Sequence, residues 1–344
     1  MKALVLEDYM KFVFKEYKDP GLNRPEDVLI HIRASSICGS DVHGMDGSTG
    51  RRIPPVIMGH EASGEIIETG TGVTDFKPGD RVTFDSTEYC GECFYCKRGE
   101  VNLCDNRKVL GVSCGDYRRD GTFAEYIVLP RRILYRLPDT LDFQAAAIAE
   151  PASVAAHAAV ITPIAMGDTM VVVGTGLIGL LLIQILRAYS AGTILALETD
   201  PDRRMAAIKA GASIALDPST PNIHDAILDI SGGRGFDRSF EAVGATVPIN
   251  TAISSTRKGG TVTLIGNVSS KIEIPLQSMV TRQISLIGSC ATAGEYPLVL
   301  NLLAQGKIDA KSIISAVAPL SEGAEWFKRL YSREKGLLKV VLEP

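Results

Sequence analysis

Basic charge in excess is missing from this 344-residue chain: 36 Lys and Arg stand against 40 Asp and Glu, a net charge of -4 with pI near 5.8. Such a surface does not attract phosphate backbones or anionic lipid, so no nucleic-acid or membrane partner is expected. A secretory leader is not read either, because Glu7 and Asp8 interrupt the apolar opening MKALVLEDYM. One stretch of 18 uncharged residues between Asp168 and Arg187 touches the lower limit for a membrane span. Its three glycines, two threonines and Gln184 read better as a strand, a turn and a buried helix. Internal repeats, low-complexity tracts and long charge runs are also lacking. A disulfide framework is not expected: four of the seven cysteines crowd into 15 residues, which points to a metal. With the lack of targeting signals, these reduced cysteines suggest a cytoplasmic protein.

What is present suggests two domains, since the length exceeds one typical domain and can bury a large core. Residues 1–148 carry short β-like runs broken by Gly, Pro and charged turns, such as 28–36, 65–70 and 80–84. From 149 to 289 the pattern alternates. Near-continuous apolar strands are expected at 170–174, 193–198, 213–217, 236–243, 261–266 and 284–288, with helices at 177–190 and 201–212. This α/β pattern predicts a doubly wound parallel sheet covered on both faces. The tail 290–344 returns to mixed character, with helices at 296–308 and 324–332 and a final strand in 337–344.

Gly174-Thr175-Gly176-Leu177-Ile178-Gly179 follows one such strand and opens an apolar helix. Gly174 permits a tight turn, Gly176 lets the backbone approach a pyrophosphate, and Gly179 lets helix and strand pack closely. The helix N-terminus offers free N–H groups to phosphate. Glu198 ends the next strand, 19 residues beyond Gly179 (198 − 179), where a carboxylate accepts ribose hydroxyls and repels a 2′-phosphate. NAD is therefore expected over NADP, although Arg203 and Arg204 follow closely. The competing explanation is a glycine-rich turn in another α/β domain.

Cys90, Cys93, Cys96 and Cys104 are spaced C-x2-C-x2-C-x7-C. Four thiolates close a tetrahedron around zinc and leave no open position, the mark of a structural site. An iron–sulfur cluster is the rival, and a zinc-ribbon nucleic-acid module is disfavoured by the scarcity of basic residues nearby. Three further pieces carry candidate ligands of a second metal: Cys38 to His43, Gly59-His60-Glu61, and Glu150-Pro151. Cysteine, histidine and glutamate suit a catalytic zinc that keeps an open position. Taken singly, each is as well explained by a buried thiol, a structural histidine or an exposed acid.

Together these residues resemble the zinc-containing medium-chain dehydrogenases, including the sorbitol (L-iditol), galactitol-phosphate and threonine branch. The resemblance rests on 37–43, 59–73, 77–82, the four cysteines, 121–126, 149–151, 174–179 and 339–342. It implies a GroES-like β-rich catalytic domain, 1–148 completed by 290–344, and a Rossmann domain over 149–289, with the site in the cleft between them. It implies two zinc ions per subunit. Cys38, His60, Glu61 and Glu150 would hold the catalytic one, with Asp41 supporting the imidazole of His60, and the four clustered cysteines the structural one. Ser40 and His43 would form the proton relay. Ile178, Glu198, Arg203, Val243, Ile265, Gly266, Asn267, Ser289 and Lys339 would join the glycines around NAD, with Lys339 approaching the pyrophosphate.

The reaction so implied moves a hydride from a secondary alcohol of a polyol, sugar alcohol or sugar derivative to NAD, giving a ketone. A threonine 3-dehydrogenase, a vicinal-diol dehydrogenase and a noncatalytic NAD-binding homologue are the alternatives. The chain departs from the sorbitol pattern: it lacks an arginine near Ala291 and an aromatic residue near Gly44. Arg51 and Arg52 are expected as solvated surface arginines rather than as contacts to a phosphate or carboxylate. A homo-oligomer, tetramer or dimer, is expected, with the strand at 284–288 able to pair across a two-fold axis.

Overall fold

Alternating burial along Asp27–Ser36 makes this strand the spine of a mixed sheet. A computed structural model describes residues 1–189 and 192–344 of the chain. These residues divide into two compact units, Met1–Glu150 with Thr292–Pro344, and Pro151–Ala291.

In the first unit the strands run in the order Leu134–Arg136, Arg81–Phe84, Glu61–Thr69, Asp27–Ser36, Lys339–Glu343 and Ile314–Pro319, and Tyr126–Pro130 also pairs with Asp27–Ser36. Register sets which side chains become neighbours. Ser36 lies opposite Glu61 on one side and opposite Val341 on the other, so residues from three distant segments meet at one edge of the ladder. A second, three-stranded sheet pairs Lys2–Asp8 with Lys11–Glu16 and Val56–Ile57. Its apolar face packs with Phe123 and Phe327, and Phe12 stacks on Phe327 at 4.3 Å. The N-terminal hairpin and the strand Ile314–Pro319 are absent from the sequence-based expectation.

In the second unit six strands form one parallel sheet in the order Ile214–Leu216, Ile194–Leu197, Met170–Val173, Phe236–Glu241, Thr256–Leu264 and Ser285–Gly288. Counted within the unit this is 3-2-1-4-5-6, the Rossmann order, with its switch point between the first and fourth strands. The uncharged stretch resolves into the strand Met170–Val173, a glycine turn and the helix Leu177–Ala188. Ser190, the end of the expected helix, lies outside the described residues. Among the described residues no helix is long and apolar enough to cross a membrane.

Gly179 is buried in the first turn of that helix, and a Cβ there would run into the carbonyl of Gly174. Gly179→Val therefore overpacks the strand–turn–helix junction and is expected to destabilise the unit by about 1–3 kcal/mol, read from urea unfolding of the full chain.

Asp85 directly follows the strand Arg81–Phe84 and is fully buried. Its Oδ1 accepts the Thr87 N–H at 2.8 Å, while Oδ2 has no hydrogen-bond partner. Burial pushes its carboxyl up to about 7. The folded chain thus holds a proton that the unfolded chain releases near pH 4, so stability falls as pH rises through roughly 4 to 7. Asp85→Asn removes this cost. It should be more stable than the parent at pH 8, by at most about 4 kcal/mol, and the gain should vanish below pH 4 in denaturant titrations.

Candidate active site

Cys38 follows the strand Asp27–Ser36 and N-caps the short helix Gly39–Gly44, where its sulfur accepts the Ser40 N–H at 3.4 Å. Gly59, at φ +93°, turns the chain just before His60 and Glu61; a Cβ there would press on the Thr122 hydroxyl and the Phe123 ring. Through this turn and the Ser36–Glu61 register, ligand atoms of Cys38, His60 and Glu61 come within 4.8 Å of one another. His60 Nδ1 faces Asp41 Oδ2 at 3.4 Å, which leaves Nε2 as the nitrogen available to a metal.

The polar groups of this cluster are only half satisfied. Glu61 Oε2 accepts the Ser36 hydroxyl and the Lys339 ammonium, the latter at 2.6 Å, but the buried Oε1 has no partner. Burial first, and the Glu61 charge second, push the Cys38 thiol far above its ordinary range. A soft sulfur, an imidazole and a carboxylate oxygen converging in one buried cluster fit a zinc ion, which would take the place of the thiol proton. Glu150, buried at the start of the helix Ala149–Ile161, stands outside this 4.8 Å group. Its Oε1 accepts the Ser86 hydroxyl at 2.8 Å, and burial pushes its carboxyl up to about 7. Ser40 and His43 are exposed on the same short helix, and the Ser40 hydroxyl lies 3.3 Å from the Cys38 sulfur.

Two expectations need correction. Lys339 does not reach toward a pyrophosphate: its side chain is 1% exposed, and Nζ donates to Ile37 O at 3.0 Å and to Glu61. The strand register delivers it there, and burial, which lowers an ammonium, is outweighed by the Glu61 charge. Arg51 and Arg52 are not a solvated pair either. Arg51 is exposed, but Arg52 is 3% exposed and binds Asp41. Ser36 and Ser86, which hold the two glutamates, carry no sequence signal beyond an ordinary serine.

The four clustered cysteines are free thiols with sulfurs within 4.8 Å, Cys90 and Cys96 being 3.9 Å apart. Backbone N–H groups of Glu92 and Cys93 pull Cys90 down to about 6, whereas burial pushes Cys96 up to about 12. Four sulfurs at this spacing fit a tetrahedral metal with no open position.

The remaining candidates lie in the parallel-sheet unit. Gly174 turns at φ +87° and Gly176 caps the helix, with Ile178 and Gly179 in its first turn. Glu198 follows the strand Ile194–Leu197 and accepts the N–H groups of Thr175 at 2.9 Å and Asp200 at 3.1 Å. Arg204 is spent on Glu198 O, Thr199 O and Asp217, whereas Arg203 is exposed. Val243, Ile265, Gly266, Asn267 and Ser289 lie just beyond the C-terminal ends of the last three strands. Gly266 packs its backbone directly on Gly244, and the Ser289 hydroxyl is buried without a partner.

Residues 24–139 match the alcohol dehydrogenase GroES-like domain, and residues 178–305 match the zinc-binding dehydrogenase family. A sorbitol dehydrogenase of Bacillus subtilis (strain 168) is 33% identical over 100% of this chain and 97% of its own length. A D-arabitol-phosphate dehydrogenase of Enterococcus avium is 34% identical over 92% and 90%. Among solved structures, a zinc-binding dehydrogenase from Sinorhizobium meliloti 1021 bound to NADP superposes with a TM-score of 0.89 at 31% identity, covering 100% and 99% of the two chains. The half-satisfied thiol–imidazole–carboxylate cluster, the Rossmann sheet and these full-length likenesses agree: the chain belongs to the zinc-binding alcohol dehydrogenase family, oxidoreductases that pair zinc with a nicotinamide cofactor.

Proposed function

We propose that this chain oxidises a secondary alcohol of a small polyol or sugar derivative to the ketone, with NAD as the acceptor and two zinc ions per chain. The observation that carries the reading is the convergence of Cys38, His60 and Glu61 around unsatisfied buried atoms. Cys38, His60 and Glu61 would hold the catalytic zinc, with Glu150 as a further donor, and Cys90, Cys93, Cys96 and Cys104 the structural one. When bound, the zinc supplies Lewis acidity to the substrate oxygen, and the nicotinamide supplies the hydride acceptor.

The chain's own residues then orient the substrate and move its proton. The Ser40 hydroxyl, exposed beside the Cys38 sulfur, takes the proton of the substrate hydroxyl. His43, three residues further along the same helix, passes it toward solvent. Asp41 holds the His60 ring from behind. On the cofactor side Gly174, Gly176, Ile178 and Gly179 cradle the pyrophosphate against the helix N-terminus. Glu198, held by two backbone N–H groups, meets the adenosine ribose and disfavours a 2′-phosphate, with Arg203 beside it. Val243, Ile265, Gly266, Asn267 and Ser289 line the nicotinamide. Sorbitol and arabitol phosphate are the substrates named for the two relatives, which supports a polyol as the substrate class.

We also propose a homo-oligomer. Ser285–Gly288 is an edge strand, and Val268, Leu276 and Val280 nearby in sequence are more than two-thirds exposed or close to it.

The test is NADH formation on polyols, sugar acids, sugar phosphates, vicinal diols and threonine, with metal analysis of the same samples. Two zinc ions per chain are expected, falling to one in Cys38→Ser and, separately, in Cys96→Ser. Cys38→Ser should lose roughly three orders of magnitude in kcat/KM, the several kcal/mol of a lost Lewis acid. Unchanged turnover in that variant would overturn the mechanism. A zinc-replete protein inert on every alcohol would favour a noncatalytic role.

A further inference from the structure

The side chain of Arg52 should be free and solvated by sequence, yet the fold buries it beside the proposed zinc site. Its backbone is pinned on both flanks: Ser113 N–H donates to Arg51 O at 3.1 Å, and Ile53 N–H donates to the Ser113 hydroxyl at 2.5 Å. The guanidinium then places Nε at 3.1 Å and Nη2 at 2.7 Å from the same oxygen, Asp41 Oδ1. The other oxygen, Oδ2, is thereby left to face His60 Nδ1 at 3.4 Å. Nη2 also lies 3.4 Å from the Ser40 hydroxyl oxygen. Room for this arrangement comes from Gly44, where a Cβ would sit 2.6 Å from Arg52 Cγ.

We propose that Arg52 is a positioning residue that locks Asp41 against His60 and Ser40 beside Cys38, coupling the metal side of the site to its proton side. The role rests on the reading that Cys38 and His60 hold zinc. Two N–H groups converging on Oδ1 pin that oxygen from two directions, which the rigid planar guanidinium can do and the point charge of an ammonium cannot. Without Arg52, Asp41 is a buried carboxylate that only faces the imidazole at 3.4 Å without a hydrogen bond, free to turn away from it. The Ser40 hydroxyl loses its donor at the same time. Partners placed behind a zinc-bound histidine typically govern metal affinity or activity by roughly 10–100-fold.

The experiment follows zinc release from the full chain to a chromogenic chelator. Two phases are expected, and the one missing in Cys38→Ser belongs to this site. Arg52→Met should accelerate that phase about 10–100-fold and leave unchanged the phase that is missing in Cys96→Ser. Arg52→Lys should recover only part of the loss, and kcat should fall while KM for NAD holds. In an Asp41→Asn background the same Arg52→Met change should alter the phase less than about twofold, because Arg52 acts through that carboxylate. Gly44→Ala, which keeps the charge but displaces the stem, should accelerate release in the same direction and serves if Arg52→Met does not fold. Wild-type release from Arg52→Met or Gly44→Ala, or an undiminished effect in the Asp41→Asn background, overturns the proposal. Two phases persisting in Cys38→Ser would instead remove the zinc reading itself, and this role with it.

Discussion

Glu61 is a fully buried carboxylate, and its charge is held by one ammonium from the far end of the chain. A buried carboxylate left unpaired is strongly destabilising, so Lys339 must be delivered to within bonding distance for the first unit to close. That delivery depends on the final strand pairing beside Ser36, which itself pairs with Glu61. The pairing satisfies only one carboxylate oxygen. The other is buried without a hydrogen-bond partner, beside a thiol pushed far up by burial. Stability of the sheet and the readiness of the site for a divalent cation are therefore two consequences of one register.

The rest of the site follows the same economy of partners. Ser36 and Ser86 donate their hydroxyls to Glu61 and Glu150. Asp41 divides its two oxygens between Arg52 and His60. Glu61 and Glu150 thus each have one oxygen anchored by a serine hydroxyl, whereas Asp41 commits one oxygen to the guanidinium and turns the other toward the imidazole. The parallel-sheet unit applies a different device. There the backbone itself must come close, so Gly179 packs on the Gly174 carbonyl and Gly266 on Gly244, positions where a side chain would push the turns apart.

Much of this was legible because it is local. A short, mostly apolar run such as Met170–Val173 or Ile194–Leu197 needs no distant partner to read as a buried strand; five of the six parallel strands begin and end within two residues of their expected spans, and Thr256–Leu264 begins five residues early. The glycine turn and the four-cysteine knuckle are likewise written in spacings of two to eight residues. Lys339, Arg52, Ser36 and Ser86 were not legible in their roles. Each acts on a partner set by strand pairing or loop packing, as with Lys339 and Glu61, 278 positions apart. The N-terminal hairpin escaped for a similar reason, since its burial comes from packing with Phe123 and Phe327 far along the chain.

The sequence by itself determined the chemistry on offer: thiols, imidazole and carboxylates in metal-binding spacing, a phosphate-ready turn, and an acid suited to a ribose. Those follow from residue type and short-range geometry, which the covalent chain imposes directly. Only the tertiary structure decided how each group is committed. It set Lys339 on Glu61 rather than on a phosphate, turned Arg52 inward over Gly44, and brought Glu61, but not Glu150, within 4.8 Å of the Cys38 and His60 ligand atoms. Those choices depend on desolvation and charge pairing between segments far apart in the chain, and such energies exist only once the strands are in register.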